Sequence, residues 1–151
     1  MLVHPGGPLW AKKDEGAWSI PKGLIMGGEE ALVAAKREFL EETGLSVEGD
    51  FIDLGAHKQP SGKRVVAWGH EGDFDTNLLK SNTFSMEWPP WSGKIAEFPE
   101  VDKAEWFKLG KATLKVTKGQ TGIIRSLAEK LGANIDARDP ASDKFVSKDQ
   151  G

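Results

Sequence analysis

The sequence predicts one domain that combines helices and strands, an α/β (α+β) fold. Its 151 residues fit a single domain with enough chain to bury a core. Glycine and proline divide the first third into short segments that resemble strands and turns. A run free of both follows at 29–43, and a second helical pattern lies near the end of the chain.

Composition excludes several functional classes. Hydrophobic residues make up 38% and charged residues 28%, which is typical of a folded, soluble domain. The net charge of −3 argues against a protein that coats nucleic acid, and no segment has the pattern of a signal peptide or membrane span. Because the chain has no cysteine, disulfides, thiolate zinc sites and thiol nucleophiles are excluded. Together these features lead us to expect a cytoplasmic protein that binds neither membrane nor nucleic-acid polymer.

The first predicted elements are two short strands and a long helix. Residues 1–4 and 17–20 are predicted strands, separated by a turn-rich segment that begins Pro5-Gly6-Gly7-Pro8. Residues 29–43 are rich in Ala, Leu, Glu, Lys and Arg and are followed by Gly44, so we predict a helix with a glycine C-cap.

Beyond this helix the pattern becomes mainly β. The predicted elements are strands at 51–54, 65–68, 83–88 and 105–109 and a closing helix at 118–131. Gln59-Pro60-Ser61-Gly62 predicts the turn between the first two of these strands, and 71–99 is expected to be largely surface loop around its single strand. The domain is predicted to span 1–132, with 133–151 a polar, mobile tail.

The most informative feature is a set of acids on the first predicted helix. At 3.6 residues per turn, Glu38, Glu41 and Glu42 fall within a sector of roughly 100°. Like charges at this spacing repel and disfavour the helix, so a compensating cation is expected. Mg²⁺ prefers such oxygen ligands, and Arg37 is spaced to pair with Glu41 or Glu29. Taken alone, the acidic run also fits a solvated surface face.

The spacing around these acids identifies a family resemblance. Gly23, five residues, Glu29, seven residues and then Arg37-Glu38-Phe39-x-Glu41-Glu42-x-Gly44-Leu45 matches every defining position of the Nudix box. The chain therefore resembles the Nudix hydrolases, a family of MutT-like pyrophosphohydrolases. The box itself covers only 23–45, with weaker similarity at 18–23 and 98–107.

The resemblance implies a fold, a reaction and a metal site. The implied fold is an α/β/α sandwich around a mixed β-sheet, and the implied reaction is hydrolysis of a nucleoside diphosphate linked to another group. The expected cofactor is Mg²⁺ or Mn²⁺, held by the residues that match the family's ligands, namely Gly23 through its carbonyl, Glu38, Glu41 and Glu42. Glu29 and Arg37 would support these ligands, and the general base would be Glu41 or, as second choice, Glu100.

One departure from the family pattern concerns the start of the sequence. Residues 1–4 resemble the second strand of small Nudix domains, so the first edge strand is expected to be missing. An unpaired strand edge invites pairing with another chain. Both a monomer and a homodimer are therefore expected states.

Candidate substrate contacts lie outside the box. Lys22 adjoins the entry to the helix, and Lys58, Lys63 and Arg64 lie on or beside the following hairpin, where each could meet a phosphate or be a solvated surface cation. Trp18, with Trp88 and Trp91, could stack on a base, although large aromatic residues more often fill the core.

Three functions remain open on the sequence alone. The first is hydrolysis of a nucleoside triphosphate, a damaged nucleoside triphosphate or a dinucleoside polyphosphate. The second is a nucleotide-sensing module that has kept the fold without the chemistry. The third is a regulatory or structural partner that binds through Trp88-Pro89-Pro90-Trp91.

Overall fold

Six strands and three helices make up the part of the chain that the structure, a computed structural model, describes: residues 1–22 and 27–133. The strands are β1 (Leu2–Pro5), β2 (Ile52–Lys58), β3 (Arg64–Gly69), β4 (Thr83–Glu87), β5 (Ile95–Pro99) and β6 (Val101–Glu105). The helices are α1 (Ala31–Thr43), α2 (Leu109–Lys115) and α3 (Thr121–Leu131), with single 3₁₀ turns at Thr76–Leu78 and Lys118–Gln120. None of the helices described is long and apolar enough to cross a bilayer.

Helix α1 confirms the prediction for 29–43 to within two residues at its start. Gly44 ends it in the left-handed conformation, with φ 75°, and its N–H donates to the Leu40 carbonyl over 2.8 Å. A side chain at Gly44 would also meet the Lys80 carbonyl oxygen at 2.8 Å. Only glycine satisfies both the backbone conformation and this close approach.

The N-terminal strand lies within a small mixed sheet. β1 pairs antiparallel with β6, and on its other side Val3 and Ser19 exchange two backbone hydrogen bonds of 2.8 and 2.9 Å. Trp18 in turn forms a parallel bridge with Val116. The segment 17–20, predicted as a strand, is thus represented by these isolated bridges, and the expected α+β class is confirmed.

The two remaining sheets are antiparallel hairpins. β2 and β3 pair through the predicted turn, where Gly62 N–H donates to the Gln59 carbonyl over 2.9 Å. β4 pairs with β5, a strand that falls inside the predicted surface loop. The prolines and glycine between these two strands form the hairpin turn, so the segment contains less loop than predicted.

Two later predictions differ from the structure. The strand predicted at 105–109 is wrong, because β6 ends at Glu105 and Leu109 begins α2. The buried positions of β6 are Val101 and Ala104, a spacing that breaks the two-residue alternation expected of a strand. The helix predicted at 118–131 begins at Thr121, after a 3₁₀ turn. The predicted tail from residue 134 onward lies outside the described residues.

The core consists of two apolar clusters that hold different walls of the candidate site. One cluster joins α3 and α2 to the β2–β3 hairpin through Leu54 and Ala67. The other joins α1 to β1 and β6 through Phe39, which is 1% exposed. Helix α1 and the β2–β3 hairpin are therefore anchored independently and face each other across a gap.

Candidate active site

The three acids of the Nudix-like motif lie in the last part of α1. The carbonyl end of a helix carries partial negative charge, so carboxylates there are destabilising, and the last turn of α1 contains no basic residue. Glu38, Glu41 and Glu42 therefore raise the electrostatic energy of this helix end. A positive charge supplied from elsewhere has to compensate.

Arg37 supplies part of that charge and organises the cluster. Its Nε and Nη2 donate to the two carboxylate oxygens of Glu29 over 2.9 and 3.1 Å, the forked geometry that guanidinium groups favour. Its Nη1 donates to Glu38 over 2.9 Å and to Glu41 over 3.1 Å. These bonds, that to Glu29 foremost, hold the pKa of Arg37 above its usual value. The sequence predicts a pair with Glu41 or Glu29, and Arg37 pairs with both.

Glu42 lies apart from this network, at the entry to the box. Its Oε2 accepts the backbone N–H of Lys22 over 3.0 Å. Its pKa is raised to about 7, chiefly because burial disfavours the charged form, with smaller contributions from the negative charges of Glu38 and Glu100. Lys22 acts in the opposite direction. The position is thus one where a further positive charge would be stabilised.

Glu100 is brought to this end of α1 by the backbone. Asn82 N–H donates to the Glu41 carbonyl over 2.9 Å, and the Asn82 carbonyl accepts the Glu100 N–H over 2.8 Å. Two hydrogen bonds therefore tie the residue at the β5–β6 corner to the box, and the influence of Glu100 on Glu42 is consistent with that proximity. The sequence separation alone could not have predicted this placement.

A cavity of about 700 Å³ lies between α1 and the β2–β3 hairpin. Glu38 is the one acidic residue on its wall among the described residues, and Lys22 also lines it. Lys63 and Arg64, both predicted as substrate contacts, also line it. Lys118, which the sequence analysis missed, lies on the same wall because the 3₁₀ turn packs against the hairpin tip.

Comparison with protein families shows which family the chain belongs to. A family model described as the NUDIX domain matches residues 3–130. The chain belongs to the Nudix family. A search of the curated proteins and a search of the solved structures each found no match.

Membership in the Nudix family indicates a hydrolase of the pyrophosphohydrolase type, and Nudix enzymes generally use divalent metals. The donor chemistry of Glu38, Glu41 and Glu42 suits such an ion, because hard cations prefer carboxylate oxygens. In residues 1–22 and 27–133, however, no three acidic or histidine side chains converge closely enough to form a ligand set. Arg37 instead gathers two of these carboxylates, and Gly23, the predicted carbonyl ligand, lies outside the described residues.

Two predicted substrate contacts of this Nudix domain do not line the cavity. Trp18 is 2% exposed, packs edge to face against Phe107 with ring centroids 4.9 Å apart, and donates its Nε1 hydrogen to Asp14. The prediction that its ring stacks on a base is therefore wrong, because the core covers it. Lys58 is exposed at the end of β2 and is not part of the cavity wall.

Proposed function

We propose that this Nudix protein hydrolyses a phosphoanhydride bond in a nucleoside diphosphate linked to another group, with Mg²⁺ or Mn²⁺ as cofactor. The observation that carries the proposal is the network in which Arg37 gathers Glu29, Glu38 and Glu41. It lies beside a cavity with cations on its wall. A solvated acidic face would need neither the forked arginine nor the cavity.

The proposed ligands of the cation are Glu38, Glu41 and Glu42. A bound divalent ion would neutralise charge on the diphosphate and make water a stronger nucleophile. Arg37 fixes the rotamers of Glu38 and Glu41 through its hydrogen bonds, and Glu29 in turn fixes Arg37. Lys22, on the cavity wall, would meet a phosphate oxygen.

A general base has to accept the proton of the attacking water. Glu41 is the first candidate, because its carboxylate is held beside the other acids by Arg37. Glu100 is the second, because the backbone bonds through Asn82 bring it to the same helix end. The proposed substrate is a free nucleotide, and the proposed compartment is the cytoplasm, in keeping with a cysteine-free chain.

A substrate panel tests the proposal. The purified protein is incubated with nucleoside triphosphates, their damaged forms and dinucleoside polyphosphates, with Mg²⁺, with Mn²⁺ and with chelator, and the products are separated by chromatography. We expect turnover that requires metal and products that identify the broken anhydride bond. The absence of metal-dependent turnover across the panel would contradict the proposal.

A matched pair of variants assigns the activity to the acid cluster. Glu41→Gln is expected to lower kcat by about 10²-fold or more, the range measured for loss of a general base or an equivalent charge. Glu30→Gln is the control, since Glu30 is exposed at the start of the same helix and its side chain makes no capping bond. Nucleotide binding that persists in Glu41→Gln together with lost turnover indicates an enzyme. An unchanged response to nucleotide would instead favour the sensing module.

A further inference from the structure

Three cations on the cavity wall opposite α1 have no acidic partner in the part of the chain that the structure describes. Lys63, Arg64 and Lys118 line the cavity, and no carboxylate of the described residues lies within ion-pair distance of their charged groups. Lys36, on the α1 side of the same cavity, differs, since it pairs with Glu48 at 3.4 Å. What distinguishes Lys63, Arg64 and Lys118 is that all three line the same cavity in a chain of net charge −3.

The three cations are carried by two segments that are fixed to each other. Gln59 Nε2 donates to the Gly119 carbonyl over 2.9 Å, and Gln59 N–H donates to the Lys63 carbonyl over 2.7 Å. The contact is close enough that a Cβ at Gly119 would lie 2.4 Å from Gln59 Oε1. The hairpin tip and the 3₁₀ turn therefore present their cations as one unit.

Electrostatics favours an anionic occupant of this wall. Like charges held near one another repel, and the repulsion is relieved when a polyanion binds between them. The acids at the other side of the cavity are already bound to Arg37 and do not reach these cations. Behind the cations the wall is apolar at Val66 and Trp68, which suits an organic body that carries the charge.

We propose that Lys63, Arg64 and Lys118 bind phosphates of the group linked to the nucleoside diphosphate, so that the enzyme prefers substrates whose second group is itself polyanionic over those whose second group is a neutral sugar. This inference rests on the proposed function, since it assigns the two ends of the same substrate. The acids near α1 would lie at the bond that is cleaved. The three cations would bind the charged group on the far side of that bond.

The kinetic test compares two substrates with the same nucleoside diphosphate. In one the second group is a neutral hexose, and in the other it is a further nucleoside diphosphate. We expect kcat/KM to be higher for the polyanionic substrate. The ratio should fall by about tenfold for each of Lys63→Gln and Lys118→Gln, because a hydrogen bond to a charged group is worth about one such factor.

Lys111→Gln is the control for these variants, because Lys111 is exposed on α2 and does not line the cavity. It should leave the ratio as it is in the wild type. A wild-type ratio near one, or a double variant in which both substrates lose activity equally, would overturn the inference while leaving the hydrolase proposal intact.

A binding measurement separates the two proposals. Inorganic tripolyphosphate is titrated into the full chain without metal and followed by calorimetry. We expect binding that weakens in the Lys63→Gln/Lys118→Gln double variant and persists in Lys111→Gln. Equal binding by the wild type and the double variant would overturn the inference whatever the activity. Lysine-dependent binding in a protein that shows no metal-dependent turnover across the whole substrate panel would support the anion site and overturn the hydrolase proposal.

Discussion

The two walls of the cavity differ in whether their charged side chains are paired with opposite charges. On the α1 wall, Arg37 neutralises its neighbours through bonds of 2.9 to 3.1 Å. On the hairpin wall, the cations Lys63 and Lys118 have no acidic partner among the described residues. The α1 wall is thus organised by the protein's own ion pairs, whereas the proposed counter-charge of the hairpin wall is a bound ligand.

This contrast follows from what each wall has to do. The reaction rate falls when the groups that hold reacting atoms are misplaced by even a small distance. Such groups therefore benefit from partners that fix their rotamers. Groups that recognise a remote anion gain from being exposed and unpaired, because nothing has to be displaced before the ligand binds. Variants of the α1 wall should therefore change kcat, whereas variants of the hairpin wall should change the preference between substrates.

Among the variants that compare the two walls, the largest effect is expected from Arg37→Lys. The lysine keeps one positive charge but cannot bind both oxygens of Glu29 while also bridging Glu38 and Glu41. We expect kcat to fall by about 10- to 100-fold, as for residues that orient ligands of a catalytic centre, with little change in the preference between substrates. Steady-state kinetics on the two substrates that share a nucleoside diphosphate measures both kcat and the preference.

Arg37→Lys also tests whether a positive charge at this position is enough to hold the acids of α1 in place. Wild-type kcat in this variant would mean that the forked bonds to Glu29 have no positioning role. Glu29→Gln provides the complementary measurement, because it weakens the same fork from the other side and should lower kcat in the same direction.

A smaller effect is expected from Gly119→Ala on the opposite wall. The added methyl would lie 2.7 Å from Pro60 Cδ, so the hairpin tip and the 3₁₀ turn would have to separate. Overpacking of this kind costs about 1–3 kcal/mol of unfolding free energy. We expect that loss in chemical denaturation, together with a reduced preference for the polyanionic substrate.

Gly27→Ala is the stability control for that variant, since no atom lies within 4 Å of the position its Cβ would occupy. Its unfolding free energy should equal or slightly exceed that of the wild type. Equal stability of Gly119→Ala and Gly27→Ala would show that the hairpin tip is not fixed against the 3₁₀ turn.

The sequence predicts the α1 wall far better than the hairpin wall. Helix periodicity places Glu38, Glu41 and Glu42 on one face, and the same geometry brings Arg37 within reach of its partners. Lys118 could not be predicted, because its position depends on a contact between Gln59 and Gly119, 60 residues apart in the chain. The local sequence pattern determines which residues share one face of a helix. Tertiary packing determines which distant segments lie against that face.

The same limit explains the predictions that were wrong. The position of Trp18 in the turn-rich entry to the box is compatible with either a base contact or a core residue, and only the packing of Phe107 against it shows the second. β5 was missed although its residues alternate between exposed and half-buried in the same way as those of β4, which was predicted. The hairpin partner β4, and not the pattern of β5 itself, defines that strand.

The smallest expected effect comes from salt, and it distinguishes the two walls without any substitution. At physiological ionic strength exposed charges are screened beyond about 8 Å, whereas partly buried pairs are screened much less. Lys63 and Lys118 are exposed, while the side chain of Glu38 is 15% exposed and bonded to Arg37. Raising the salt concentration should therefore raise KM for the polyanionic substrate by a few-fold and leave kcat nearly constant, as steady-state kinetics at fixed free metal would show. A matching fall in kcat would mean that the α1 wall is as open to screening as the hairpin wall, and the distinction between the two would be lost.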